Sequence, residues 1–113
     1  MPKNDKLPWF PFHVDRFLAS RAVRRMSAEE VGIYLLLLIE QWVSEASLPT
    51  RGADLERICH YAQLSKIRRV LRLCFKKTAD GWKNEVLESI HAEQKLRHSR
   101  RVEAGKKQKQ PNV

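Results

Sequence analysis

The chain has 113 residues, 42% of them hydrophobic and 31% charged, with 22 Lys and Arg against 13 Asp and Glu for a formal net charge of +9. A chain of this length forms one small domain that buries roughly 65% of its unfolded surface, not two domains, and the composition excludes disordered and fibrous classes. The longest apolar stretch, Val31 to Ile39, is broken by Gly32 and falls far short of the roughly 20 residues of a membrane span. The N-terminal Met1-Pro2-Lys3-Asn4-Asp5-Lys6 leads into no apolar signal region, so a cytoplasmic protein without a membrane partner is expected.

In chain order, Leu7-Pro8-Trp9-Phe10-Pro11-Phe12 predicts an extended strap whose rings lie on the core, with aromatic-lined ligand recognition as the alternative. A short helix over Val14 to Ala19 follows, then the basic stretch Arg21, Arg24 and Arg25. Ser27-Ala28-Glu29-Glu30 has capping-box spacing and starts a helix running to about Ser44. Because Val31 to Ile39 is apolar nearly all round, that helix is expected to be the central buried one. Leu48-Pro49 and Gly52 break the pattern, and Asp54 is the expected N-cap of a second helix through Leu55, Ile58, Cys59 and Ala62. Gln63-Leu64 makes a tight connection, and Ser65 caps a third helix to about Phe75. Two short helices joined in this way form a helix-turn-helix. Asp80-Gly81 then predicts a two-residue turn between short basic strands. From Glu85 the chain is helical again, anchored by Leu87 and Ile90. His91 to Lys109 is so polar that it reads as a frayed basic tail or a projecting helix. The expected division is a winged-helix domain with its strap over residues 1–90 and a basic helix or tail over 91–113.

The charge falls almost wholly in the second half. Residues 1–64 balance, whereas residues 65–113 hold fourteen basic side chains against five acidic ones. That asymmetry points to a polyanionic partner, nucleic acid before membrane; solvated charge with no partner is the alternative. Cys59 and Cys74 stand apart at apolar helical positions and His13, His60, His91 and His98 lack zinc-site spacing, so buried reduced thiols and no metal are expected. There is no Gly-rich phosphate loop, nucleophile elbow or HExxH, so neither an enzyme nor a cofactor is expected.

Pro8-Trp9-Phe10-Pro11-Phe12, the run from Ser27 to Leu37, Trp42, Leu48-Pro49 and Asp80-Gly81-Trp82-Lys83-Asn84 together resemble the YdaU-like family of small phage and prophage proteins of unknown function. The likeness covers roughly residues 7–90. Such proteins look like the winged-helix N-terminal domains of phage replication initiators, which bind origin DNA and help bring in the host helicase. The resemblance implies a mainly α fold with a small β-hairpin, a winged helix-turn-helix. Family members carry more aromatic character in the third helix, where this chain has Ile67-Arg68-Arg69.

The expected function is double-stranded DNA binding, as a replication accessory or initiator-like factor or a transcriptional regulator. Arg68, Arg69 and Arg72 enter the major groove or grip its edges; Ser65, beside Lys66, holds a phosphate at the helix N-terminus. Lys76, Lys77 and Lys83 contact backbone from the hairpin, while Arg97, Arg100 and Arg101 add phosphate contacts without sequence preference. Host or phage replication proteins and a second copy of the chain are further expected partners. The rival function is a protein-interaction module whose basic surface docks on a host replication or defence protein.

Overall fold

The computed structural model describes residues 8–109. It is mainly helical, with one two-stranded antiparallel hairpin. Helices α1 (Val14–Ala19) and α2 (Arg21–Arg24) meet at Ser20, whose Oγ accepts from the Val23 amide at 3.3 Å and so caps α2. Helix α3 (Ala28–Ser44) begins at the expected capping box: Ser27 Oγ accepts from the Glu30 amide at 3.1 Å, and Glu30 Oε1 accepts from the Ser27 amide at 2.9 Å. There follow α4 (Gly52–Ile58), α5 (Leu64–Cys74), β1 (Lys76–Thr78), β2 (Gly81–Lys83) and α6 (Glu85–Lys109).

The core lies between α3 and α5. Ile33, Leu37, Leu38 and Trp42 from α3 meet Ile67, Val70, Leu71 and Phe75, with Leu48, Leu55, Cys59 and Leu87 closing the sides. The i, i+3, i+4 spacing of Ile67, Val70 and Leu71 gives α5 one apolar stripe, which is buried while the opposite side stays in water. Leu48, in the connection between α3 and α4, exchanges backbone hydrogen bonds with Trp82 at 2.8 and 3.0 Å, adding a third, one-residue strand position beside β2.

Several local expectations shift. Helix α3 is not buried all round, because only one side has α5 and α6 to face: Ile39 and Val43 are about half exposed. In the strap Phe10 packs on Trp42 with centroids 4.9 Å apart, but Trp9 and Phe12 are exposed; Leu7 lies outside the described residues. Helix α4 starts at Gly52 behind Arg51 rather than at Asp54, which sits in its first turn and holds Arg57 at 2.7 Å. At Gly52 a Cβ would come within 2.9 Å of the Leu64 side chain, so the glycine admits the residue that opens α5. Helix α5 begins at Leu64 with Gln63 in the N-cap position, so Ser65 is the second helical residue and not a cap. The hairpin turn is Ala79-Asp80, since Gly81 already pairs with Thr78. Gly81 takes φ = 137°, and a Cβ there would lie 2.0 Å from the Leu48 carbonyl oxygen, so only glycine lets the Leu48 segment approach. The polar C-terminal segment is one continuous helix to Lys109.

Asn84, between β2 and α6, joins these parts. Its Oδ1 accepts from the Leu87 amide at 2.9 Å as the N-cap of α6, and its Nδ2 donates to the Cys74 carbonyl at 3.0 Å. Gln41 of α3 grips its backbone, donating from Nε2 to the Asn84 carbonyl at 3.1 Å and accepting from the Asn84 amide at 2.8 Å. Loss of a cap costs about 1 kcal/mol, and stranding a buried polar group costs about 1–3 kcal/mol. Asn84→Ala removes the cap and leaves the partly buried Cys74 carbonyl without that donor, so a loss of about 1–3 kcal/mol is expected in chemical denaturation. A change below about 0.5 kcal/mol would mean that α6 is held by other contacts.

Candidate nucleic-acid interface

Helix α5 carries the central group of expected contact residues, and its packing divides them. Ser65, Arg68 and Arg72 face solvent. Arg68 lies beside the start of α4, its Nη2 3.4 Å from where a Cβ on Gly52 would sit. Arg68 and Arg72, one turn apart, form no ion pair among the described residues.

Lys66 and Arg69 turn instead toward the N-terminus of α3. Lys66 Nζ lies 2.6 Å from Glu29 Oε1, an exposed pair. Arg69 Nη1 lies 2.6 Å from Glu30 Oε2, and its Nη2 donates to the Arg25 carbonyl at 3.4 Å. Glu30 therefore serves both the cap and the ion pair. The Ser27 amide, then the Arg69 guanidinium, hold its carboxyl below the usual 4.5.

The hairpin cations are divided in the same way. Lys76 and Lys83 sit opposite one another across the strands and each faces a carboxylate of α6: Lys76 Nζ is 3.6 Å from Glu85 and Lys83 Nζ is 2.9 Å from Glu88. The Glu88 partner raises the Lys83 pKa. Lys77, one residue on, points to the other face and is exposed, with no ion pair among the described residues. Along α6, Arg97 pairs with Glu93 at 3.3 Å, whereas Arg100 and Arg101 are exposed without such a partner among the described residues.

Two features were not singled out from the sequence as contact residues. The turn between α4 and α5 has His60 at φ = 54° and Tyr61 at φ = 62°, consecutive left-handed residues with no glycine or asparagine to announce them. The Tyr61 ring is 77% exposed where the chain enters α5. Arg16, Arg21, Arg24 and Arg25 of the α1–α2 region are also exposed. Their charges are hidden in a half-chain sum, where they are cancelled by an equal number of acids.

Both thiols are free, and burial pushes each up to about 11, so neither is a nucleophile at neutral pH. No group of His, Cys, Asp and Glu among the described residues is arranged to hold a metal ion. None of their helices is long and apolar enough to cross a membrane.

A family model described as a protein of unknown function, DUF1376, matches residues 8–92. The chain belongs to this family. The match runs from the strap through the start of α6, ending just after His91, whose ring meets Trp42 at 4.6 Å. Arg97, Arg100 and Arg101 lie beyond it. Comparison with curated proteins and with solved structures finds no match.

Because the folded pKa of Glu30 lies below its ordinary value, the stability it contributes is complete above pH 4.5 and is lost as pH falls through the folded value. Urea denaturation from neutral pH downward is expected to show wild type and Glu30→Gln well separated at neutral pH and converging below 4.5. A constant gap would show that the carboxylate charge is not what Arg69 and the cap require.

Proposed function

We propose that the protein is a winged-helix DNA-binding protein of phage or prophage origin, acting as a replication accessory factor or transcriptional regulator on double-stranded DNA. The observation that carries the reading is the exposed Arg68–Arg72 edge of α5 within the element order helix, strand position at Leu48, helix, helix, hairpin. That order is the one a winged helix follows, with α4 and α5 as its helix-turn-helix and β1–β2 as its wing. In this reading Arg68 and Arg72 approach the major groove and its phosphates, and Tyr61 reaches the backbone beside them. Lys77 contacts phosphate from the wing, and Arg100 and Arg101 add charge from α6. Lys66, Arg69, Lys76 and Lys83 are each engaged by a carboxylate, Arg69 by the buried Glu30.

The rival reading is a protein-interaction module that docks the same basic surface on an acidic patch of a host replication or defence protein. Duplex titration separates the two. Arg68→Gln with Arg72→Gln is expected to weaken duplex binding about 10-fold or more at moderate salt while leaving the thermal transition in place, since neither side chain is buried. A folded double variant that binds duplex as wild type does would favour the rival.

A further inference from the structure

Beyond duplex binding, we propose that the cleft between the strap, α1–α2 and the start of α6 receives an unstacked nucleobase with its phosphate, supplied by single-stranded nucleic acid. The cleft has a volume of about 280 Å³. Its walls include the rings of Phe10, Phe12, Phe17 and Tyr34, its cationic side chain is Arg16, and no Asp or Glu among the described residues lines it. The rings run in series: Phe12 is tilted by 51° against Phe17 with centroids 5.0 Å apart, and Phe17 stacks on Tyr34 at 5.8 Å with an interplanar angle of 9°. The series is open at the strap, where Phe12 is 42% exposed.

Flat rings open to solvent beside unneutralised arginine suit a ligand that is both planar and anionic. Base–aromatic stacking is sequence-tolerant, and arginine supplies charge to the adjoining phosphate. Arg21 and Arg24 do not line the cleft but are exposed on α2, whose Val23 does, so they place positive charge on the element beside it. A strand has further phosphates to meet that neighbouring charge, and a free nucleotide does not. A duplex keeps its bases stacked and out of reach, and an apolar peptide would cover Arg16 without giving it a counter-charge. The larger cleft, about 620 Å³ between the end of α3, the hairpin and α6, contrasts with it: Glu45, Asp80 and Glu88 stand there among Lys83, His91 and Lys95, so an anion meets repulsion as well as attraction.

The test is fluorescence anisotropy of labelled oligo-dT, an abasic strand of equal length and a random duplex, using the full chain and its Phe12→Ala/Arg16→Gln variant. Wild type is expected to bind oligo-dT about 10-fold more tightly than the abasic strand. The variant is expected to lose about 10-fold on oligo-dT and to keep its duplex affinity. Both replaced side chains are exposed, and the oligo-dT to abasic comparison on the unaltered chain stands whatever the variant's stability. Equal binding of the two strands by wild type, or unchanged oligo-dT affinity in a folded variant, would overturn the proposal. Competition by thymidine monophosphate as effective as that by oligo-dT would overturn the strand and assign the cleft to a free nucleotide. Loss of duplex binding in Arg68→Gln/Arg72→Gln with oligo-dT binding retained would show the two surfaces to be separate.

Discussion

Asn84 is the residue through which the second half of the molecule is held to the first. Its side chain satisfies the last turn of α5 and the first turn of α6, while its backbone is gripped by Gln41 from the middle of α3. The hairpin starts just after Cys74 and ends just before Asn84, so the Asn84 Nδ2 bond to the Cys74 carbonyl closes its base. Gln41 and Asn84 are both buried, and a buried amide without partners is expensive, so the four bonds must form together. Once they do, the exit of α5, the plane of the hairpin and the direction of α6 are fixed relative to α3. The Leu48–Trp82 bridge locks the hairpin from its other edge, and it does so only because Gly81 has no Cβ.

Fixing α5 against α3 decides what the basic residues can do. Buried Ile67, Val70 and Leu71 set the rotation of α5, which brings Lys66 and Arg69 to the acidic first turn of α3 and leaves Arg68 and Arg72 outside. The Lys66–Glu29 pair is exposed and contributes little to stability. Arg69–Glu30 differs, because Glu30 is buried and is already ordered by Ser27. Glu85 and Glu88 temper the hairpin lysines in the same manner. The positive surface is therefore narrower than the composition implies. It consists of the outer edge of α5, Lys77, the α1–α2 arginines and the outer part of α6, while Lys66, Arg69, Lys76 and Lys83 each stand beside a carboxylate.

Much of this was legible from residue types and spacing. The capping box at Ser27 and Glu30 is a local rule, and the structure follows it atom for atom. The apolar stripe of α5 and the presence of a hairpin after it were equally local. What escaped the sequence depends on contacts between distant segments. Leu64 seats against Gly52 across the α4–α5 turn and is itself the first residue of α5, so Ser65 has no capping role. Gly81 serves the approach of Leu48 instead of the turn itself, so the turn moves one residue back. On a helical projection Arg69 falls with Arg68 and Arg72 opposite the stripe, and only the position of Glu30 tells that its side chain turns back to the fold. Asn84 carries no periodic signal, because its partners come from 43 residues upstream on α3 and 10 residues upstream at the end of α5. The αL turn at His60 and Tyr61 is likewise set by the helices it joins.

The central claim is that packing has divided the basic residues of α5 into some that hold the fold and some that remain for an anionic partner. The most direct measurement is the slope of log affinity against log salt for a random duplex, comparing Arg72→Gln with the charge-neutral double change Glu29→Gln/Lys66→Gln. Each lost phosphate contact lowers the slope by about 0.9. The expected result is a reduction of about that size for Arg72→Gln and an unchanged slope for the double change. Equal reductions would contradict the claim, because they would mean that Lys66 leaves Glu29 for the phosphates and that the whole basic stripe, not its outer edge, meets DNA.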